Sequence, residues 1–149
     1  MITNLSPGIT VIVGSCATGK TWLANRLCKT VVPSARVYHT DDYLQYGTDH
    51  ALFVLSKEIH RERNPYIILE GNLACKFLRL RQLANRRYII PAILECTAPK
   101  EVRLERIVER GKDPNATFNM DAIIYKQMIE YKRAAKLLPE WVVVNTLTL

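Results

Sequence analysis

The residues Gly14-Ser15-Cys16-Ala17-Thr18-Gly19-Lys20-Thr21 match the full pattern GxxxxGK(S/T). Gripping a triphosphate takes several backbone N–H groups converging on one anion, and glycines at both ends let the chain curl that tightly. On this reading Gly14, Ser15, Cys16, Ala17, Thr18, Gly19, Lys20 and Thr21 cradle the phosphates of ATP. Lys20 reaches the β and γ groups, Thr21 ligates Mg²⁺, and the following helix adds the positive end of its dipole. The plain alternative is a glycine-rich turn arising by chance. It loses ground because an apolar run precedes the loop and a helical pattern follows it.

Carboxylates supply the next chemistry. Asp41-Asp42 stands directly after an expected strand, where an open α/β sheet binds its ligands. Asp41 is the candidate base that accepts a proton from an acceptor hydroxyl, with Asp42 beside it reaching Mg²⁺ through water. Equally, Thr40, Asp41 or Asp42 can cap a helix or close a turn. Glu70-Gly71-Asn72 ends a second apolar run, and Glu70 there can hold a magnesium-bound water or simply terminate the strand.

Cations complete the set. Arg103, Arg106 and Arg110 fall within about 60° of one another on a helix that turns about 100° per residue. Arginines brought over a transferring phosphoryl group stabilise its equatorial charge, so Arg106 and Arg110 are candidates for that role. A solvated face is the alternative, since Glu101, Glu105 and Glu109 can pair with them. Lys76, Arg79, Arg81, Arg86 and Arg87 form a basic stretch that could attract a nucleic-acid backbone or be the wet side of a helix. His39, His50 and His60 receive structural readings, and Tyr125, Met128, Ile129 and Tyr131 read as packing, with Tyr131 partly exposed.

The elements that must position these groups follow from periodicity. Ile9–Val13, Arg36–His39, Tyr66–Leu69, Tyr88–Leu94 and Trp141–Asn145 read as strands, with Pro91 forcing the fourth to begin at or just after it, or to bulge. Helical spacing marks Thr21–Val31, 49–63, 76–87, 100–110 and 121–138, and a polar loop is expected over Gly111–Phe118. Strands alternating with helices imply βαβ units and a parallel three-layer α/β/α sandwich.

A chain of 149 residues with 48% hydrophobic content fits one domain, 1–149, whose core needs neither disulfides nor a structural metal. Cys16, Cys28, Cys75 and Cys96 are scattered without a CxxC pair, and read as reduced, mostly buried thiols. No leader pattern opens the chain and no apolar run reaches the roughly 18 to 20 residues that span a bilayer, so a cytoplasmic location is expected. The net charge of +7 suits a polyanionic ligand.

These residues resemble the small P-loop kinases, a group that includes nucleotide kinases, zeta-toxin-like kinases and the kinase domain of bacteriophage polynucleotide 5′-kinase. The last is nearest in pattern, through Asp41-Asp42-Tyr43, the Thr21-Trp22 pair, and Arg106 with Arg110-Gly111 before a helix. The resemblance implies a P-loop NTPase sandwich with strand order 2-3-1-4-5, an acceptor region at about 43–65 and a lid at about 106–120. It also implies Lys20, Thr21, Asp41, Arg106 and Arg110 as kinase residues, with ATP as donor and Mg²⁺ as cofactor. The expected activity is transfer of the γ-phosphoryl group to a hydroxyl of a nucleotide-like or nucleic-acid 5′ acceptor. A small-metabolite or sugar-nucleotide kinase and a non-catalytic nucleotide-binding module are the alternatives. The arginine that the polynucleotide kinases place after Asp-Asp-Tyr is Leu44 here, which leaves the acceptor open.

Overall fold

The computed structural model describes residues 4–84, 90–135 and 139–147, the side chains of 81–84 excepted. Its centre is β1, Gly8–Gly14, whose residues from Ile9 onward are all buried. A strand covered on both faces must be apolar throughout, which is why this run lacks the usual alternation. Side chains still alternate in direction: Ile9, Val11 and Val13 join one core, and Ile12 joins the other.

Five strands form one parallel sheet in the order β2-β3-β1-β4-β5, with β2 at Arg36–His39, β3 at Tyr66–Glu70, β4 at Ala92–Thr97 and β5 at Glu140–Asn145. Parallel neighbours need crossovers, and helices supply them. Helix α1, Lys20–Thr30, packs Leu23, Ala24 and Leu27 against one face with Ile68 and Leu94. On the other face lie α2 (Thr48–Arg61), α3 (Ala74–Ala84) and α5 (Pro114–Ala134), contributing Leu55, Phe77 and Tyr131 among others. Helix α4, Lys100–Glu109, precedes α5 and buries Ile107. The three-layer parallel architecture and the order 2-3-1-4-5 are those expected.

Local differences have local causes. Thr40–Tyr46 is a 3₁₀ helix ahead of α2, and β4 starts immediately after Pro91, as expected of a residue that cannot donate to a ladder. The polar loop expected over Gly111–Phe118 is mostly helix, because Asp113 caps α5 by accepting from the N–H groups of Asn115 and Ala116, and Pro114 fits the first turn. The helix expected from Asp121 to Leu138 thus begins seven residues earlier and ends at Ala134. Tyr131 is fully buried at 1% exposure instead of partly exposed, whereas Tyr125, one residue round from core-facing Ile124, is 59% exposed. Residues Arg86 and Arg87 of the basic stretch lie outside the described residues, as do Tyr88 and Ile89.

Candidate active site

The loop from Gly14 to Thr21 joins the carboxyl end of β1 to the N-terminus of α1. Its backbone explains its glycines. Gly14 has φ +146, and a Cβ there would sit 2.6 Å from the Cys96 carbonyl of β4. Ala17 adopts φ 61, a left-handed conformation that costs a non-glycine residue about 1 to 2 kcal/mol. Something must hold it there.

Lys20 is buried at 8% exposure, and its ammonium donates to the carbonyls of Gly14 (2.9 Å) and Ser15 (2.8 Å). Burial lowers its pKa below the ordinary lysine value, opposed by Cys16, Glu70, Cys96 and Asp41. The last carbonyls of the loop are held from outside. Arg103 Nε donates to Cys16 O at 2.8 Å, Arg106 to Ala17 O at 3.0 Å, and the Thr146 hydroxyl to Thr18 O at 2.8 Å. Arg103 also pairs with Asp121 at 2.5 Å, and Asp121 accepts the Cys16 N–H at 3.2 Å. Neither Arg103 nor Arg106 is a solvated arginine paired with a neighbouring glutamate.

Glu70 ends β3 with its carboxylate buried beside the loop. Its Oε1 accepts the Thr21 hydroxyl at 3.2 Å and lies 2.7 Å from His39 Nδ1. The parallel register opposes His39 to Glu70, so the histidine given a structural reading touches a site carboxylate. Strand order 2-3 and two strands ending together were the signal that could have found it.

A cavity of about 360 Å³ opens above the loop, lined by Lys20, Thr21, Asp41, Glu70, Asn72 and Arg110 among others. Asp41 sits on its wall from the 3₁₀ helix, whereas Asp42 is exposed and off the lining. The Arg110 backbone N–H closes α4 on the Arg106 carbonyl, while its guanidinium is exposed and has no hydrogen-bond or ion-pair partner among the described residues. A second cavity of about 450 Å³ is bounded by Gly19, Trp22, Arg106, Glu109, Arg110 and Thr146. Trp22 and Arg110 line both cavities, while Arg106 lines only the second. Thr146 escaped the sequence reading because a lone threonine carries no spacing signal, and Trp22 entered it only through the resemblance, with no place on a cavity wall assigned.

Magnesium can be tested against these groups. It keeps waters and phosphate oxygens and takes one or two protein oxygens. The Thr21 hydroxyl and the Glu70 carboxylate, 3.2 Å apart at the loop's end, fit that demand. No cluster of three or more histidine, cysteine or acidic ligands occurs among the described residues. No described helix is long and apolar enough to cross a membrane.

No family model and no curated protein matches the chain. Solved structures do. A protein of Chloroflexus aurantiacus provisionally described as a kinase is 18% identical over 95% of this chain and 89% of its own, with a TM-score of 0.64. A gluconokinase of Sinorhizobium meliloti is 12% identical over 93% and 82%, at 0.56. The YorR protein of Bacillus subtilis, in complex with phosphorylated GDP, is 12% identical over 93% and 85%, at 0.55. The likeness is one of fold. It extends over nearly the whole chain in each case, so the sheet, its crossovers and the loop-bearing edge belong to one shared architecture.

Proposed function

We propose that this chain is a phosphotransferase that moves the γ-phosphoryl group of ATP to an acceptor hydroxyl. One observation carries the reading: a buried ammonium and a carboxylate, Lys20 and Asp41, line the same cavity above the Gly14–Thr21 loop. Lys20 and the amides hold the phosphates, and Asp41 orients the acceptor hydroxyl and takes its proton. Thr21 and Glu70 would hold Mg²⁺, which when bound neutralises charge between the β and γ groups. Arg110 reaches the transferring group from the turn after α4, while Arg106 supports the loop and borders the second cavity. That second cavity is the natural seat of the nucleoside, with Trp22 forming the wall between base side and phosphate side.

The acceptor is nucleotide-like or a nucleic-acid 5′ end in this reading. A small metabolite or sugar nucleotide is the second reading, and two observations favour it. The cavity of about 360 Å³ is within the size range of small-molecule sites, and Arg79 of the basic helix is tied to Glu130 of α5 at 3.0 Å. The names of the gluconokinase and of the protein bound to phosphorylated GDP are compatible with either.

The test is transfer of label from γ-labelled ATP to a panel of nucleosides, nucleotides, sugar nucleotides, sugars and oligonucleotides, with Lys20→Ala and Asp41→Asn beside the wild type. Label should move to one class and be lost in both variants. Label released only to water would remove the kinase assignment, and ATP binding with no transfer to any acceptor would support a non-catalytic nucleotide-binding module.

A further inference from the structure

Three successive carbonyls of the loop, those of Cys16, Ala17 and Thr18, are each held from outside by a different side chain: Arg103, Arg106 and Thr146. A peptide unit is planar and trans, so its N–H points away from its C=O. Fixing the Cys16 carbonyl outward turns the Ala17 N–H inward, and fixing the Ala17 carbonyl does the same for the Thr18 N–H. These two peptides flank the left-handed Ala17, the one non-glycine residue with positive φ among the described residues. Without outside partners such a conformation relaxes.

Resting on the phosphotransferase reading, we infer that Arg103 and Asp121 are positioning residues for phosphate binding. Together they grip the Cys16 residue from both sides: Arg103 Nε takes its carbonyl and Asp121 Oδ1 its N–H, over chain separations of 87 and 105 residues. Asp121 would be an odd neighbour for a phosphate site if its charge were bare. Its other oxygen is paired with Arg103 Nη2 at 2.5 Å, so the unit is neutral as a whole and leaves the cavity's field to the charged groups that line it. Arg103 is itself seated over the Phe118 ring at 5.1 Å, which ties the clamp to the first turns of α5. Neither residue lines either cavity, so they act through the loop and not on the ligand.

The arrangement assigns roles to individual amides. The Cys16 N–H belongs to Asp121 in the free and the ligated protein, and the phosphates are taken by the N–H groups that follow, beginning at Ala17. Inorganic tripolyphosphate is the proper probe, because it carries neither base nor ribose. Residue-resolved amide exchange on the wild-type chain should find Cys16 already protected without ligand, and Ala17 and Thr18 protected only once tripolyphosphate is added. The paired variant Arg103→Met with Asp121→Ala leaves net charge unchanged and should weaken tripolyphosphate and ATP binding by the same factor, about tenfold. Its thermal unfolding temperature, read in parallel, separates a misaimed loop from a damaged fold.

If the wild type binds neither tripolyphosphate nor ATP, the functional reading fails and this inference fails with it. If the wild type binds both but the paired variant binds them as tightly, the inference alone is overturned. Should the variant not fold, the exchange pattern decides: protection of Cys16 that appears only with ligand, or of Ala17 that precedes it, removes the clamp.

Discussion

The two walls of the main cavity are built to different standards. On the donor side, each carbonyl from Gly14 to Gly19 has a partner: the Lys20 ammonium, two arginines, the Thr146 hydroxyl and, for Gly19, the Leu23 N–H of α1. On the acceptor side, the 3₁₀ helix Thr40–Tyr46 leaves Asp41, Asp42, Leu44 and Tyr46 exposed and ends at Gly47, around which there is open space. It packs on α2 and, through Tyr43, on the core, but few of its side chains hydrogen-bond to other elements among the described residues. Thr40 is wholly buried, and its hydroxyl accepts the Leu73 N–H at 3.5 Å, while the Tyr43 hydroxyl donates to Glu58 of α2. A wall that stabilises charge works only if its dipoles are fixed before the reaction, whereas a wall that admits a substrate has to remain accessible. The contrast suits the proposed transfer between two substrates.

The contrast breaks most visibly at Asp41. Asp41→Asn should lower turnover by about 10²- to 10⁴-fold, the range of general acid–base contributions, while the dissociation constant for ATP changes by less than about threefold. Steady-state rates with the acceptor identified by the labelling panel, beside direct ATP titration, check this. Equal losses in both would make Asp41 part of the donor wall, and unchanged turnover would remove it from the chemistry.

Gly71 is where the two walls meet, just past Glu70. It has φ +132, and a Cβ added there would lie 1.9 Å from the Thr40 hydroxyl. Gly71→Ala should therefore cost about 3 kcal/mol, from the left-handed conformation and the overpacking together. Urea unfolding measures it. Thr40→Ala in the same chain should recover part of the loss, since it removes the atom struck first. If the double variant is no more stable than Gly71→Ala, the contact is not the cause.

How much of this could be read from the residues alone divides along the same line. The donor wall was legible because GxxxxGK(S/T) is a local pattern whose geometry is carried by its own glycines and lysine, and because strand, loop and helix adjoin in sequence. The sheet was legible from alternation of elements, and its order from resemblance. What stayed hidden depends on contacts between distant segments. The spacing of Arg103 and Arg106 places them on one face but does not say that the face meets the carbonyls of residues 16 and 17. Asp121 looked like an ordinary helical aspartate, because nothing at 121 announces a partner at 16. The start of α5 was missed for a different reason: Asp113-Pro114 is itself a helix-opening signal, and the polar residues after it were read as loop.

The smallest effect concerns the core that both walls stand on, and its sign can be worked out from its buried thiols and phenols. Burial pushes the thiols of Cys75 and Cys96 from 9.0 up to about 12, with carboxylates adding to the shift. Burial likewise raises the Tyr131 and Tyr38 hydroxyls from 10.0 to about 12, Tyr38 helped by its hydrogen bond to Glu62, and it raises the Tyr43 hydroxyl, helped by Glu58. Each folded-state value lies above the unfolded one, so the folded chain retains protons that the unfolded chain releases. Their contribution is complete below about pH 9 and disappears as pH climbs towards 12. Lys20 runs the other way, because its pKa is lowered from 10.5 and folding ceases to be penalised once the ammonium is neutral in both states. Five groups against one predict a urea midpoint that is level from pH 7 to about 9 and falls beyond it. Because Cys75 and Tyr131 both belong to the core face shared with α5, and Lys20 to the loop, Cys75→Ala should flatten the decline without altering ATP affinity at pH 7. A decline unchanged in Cys75→Ala would place the alkaline sensitivity elsewhere, and a coincident loss of ATP affinity would mean that the core and the donor wall are not separable in the way their contacts suggest.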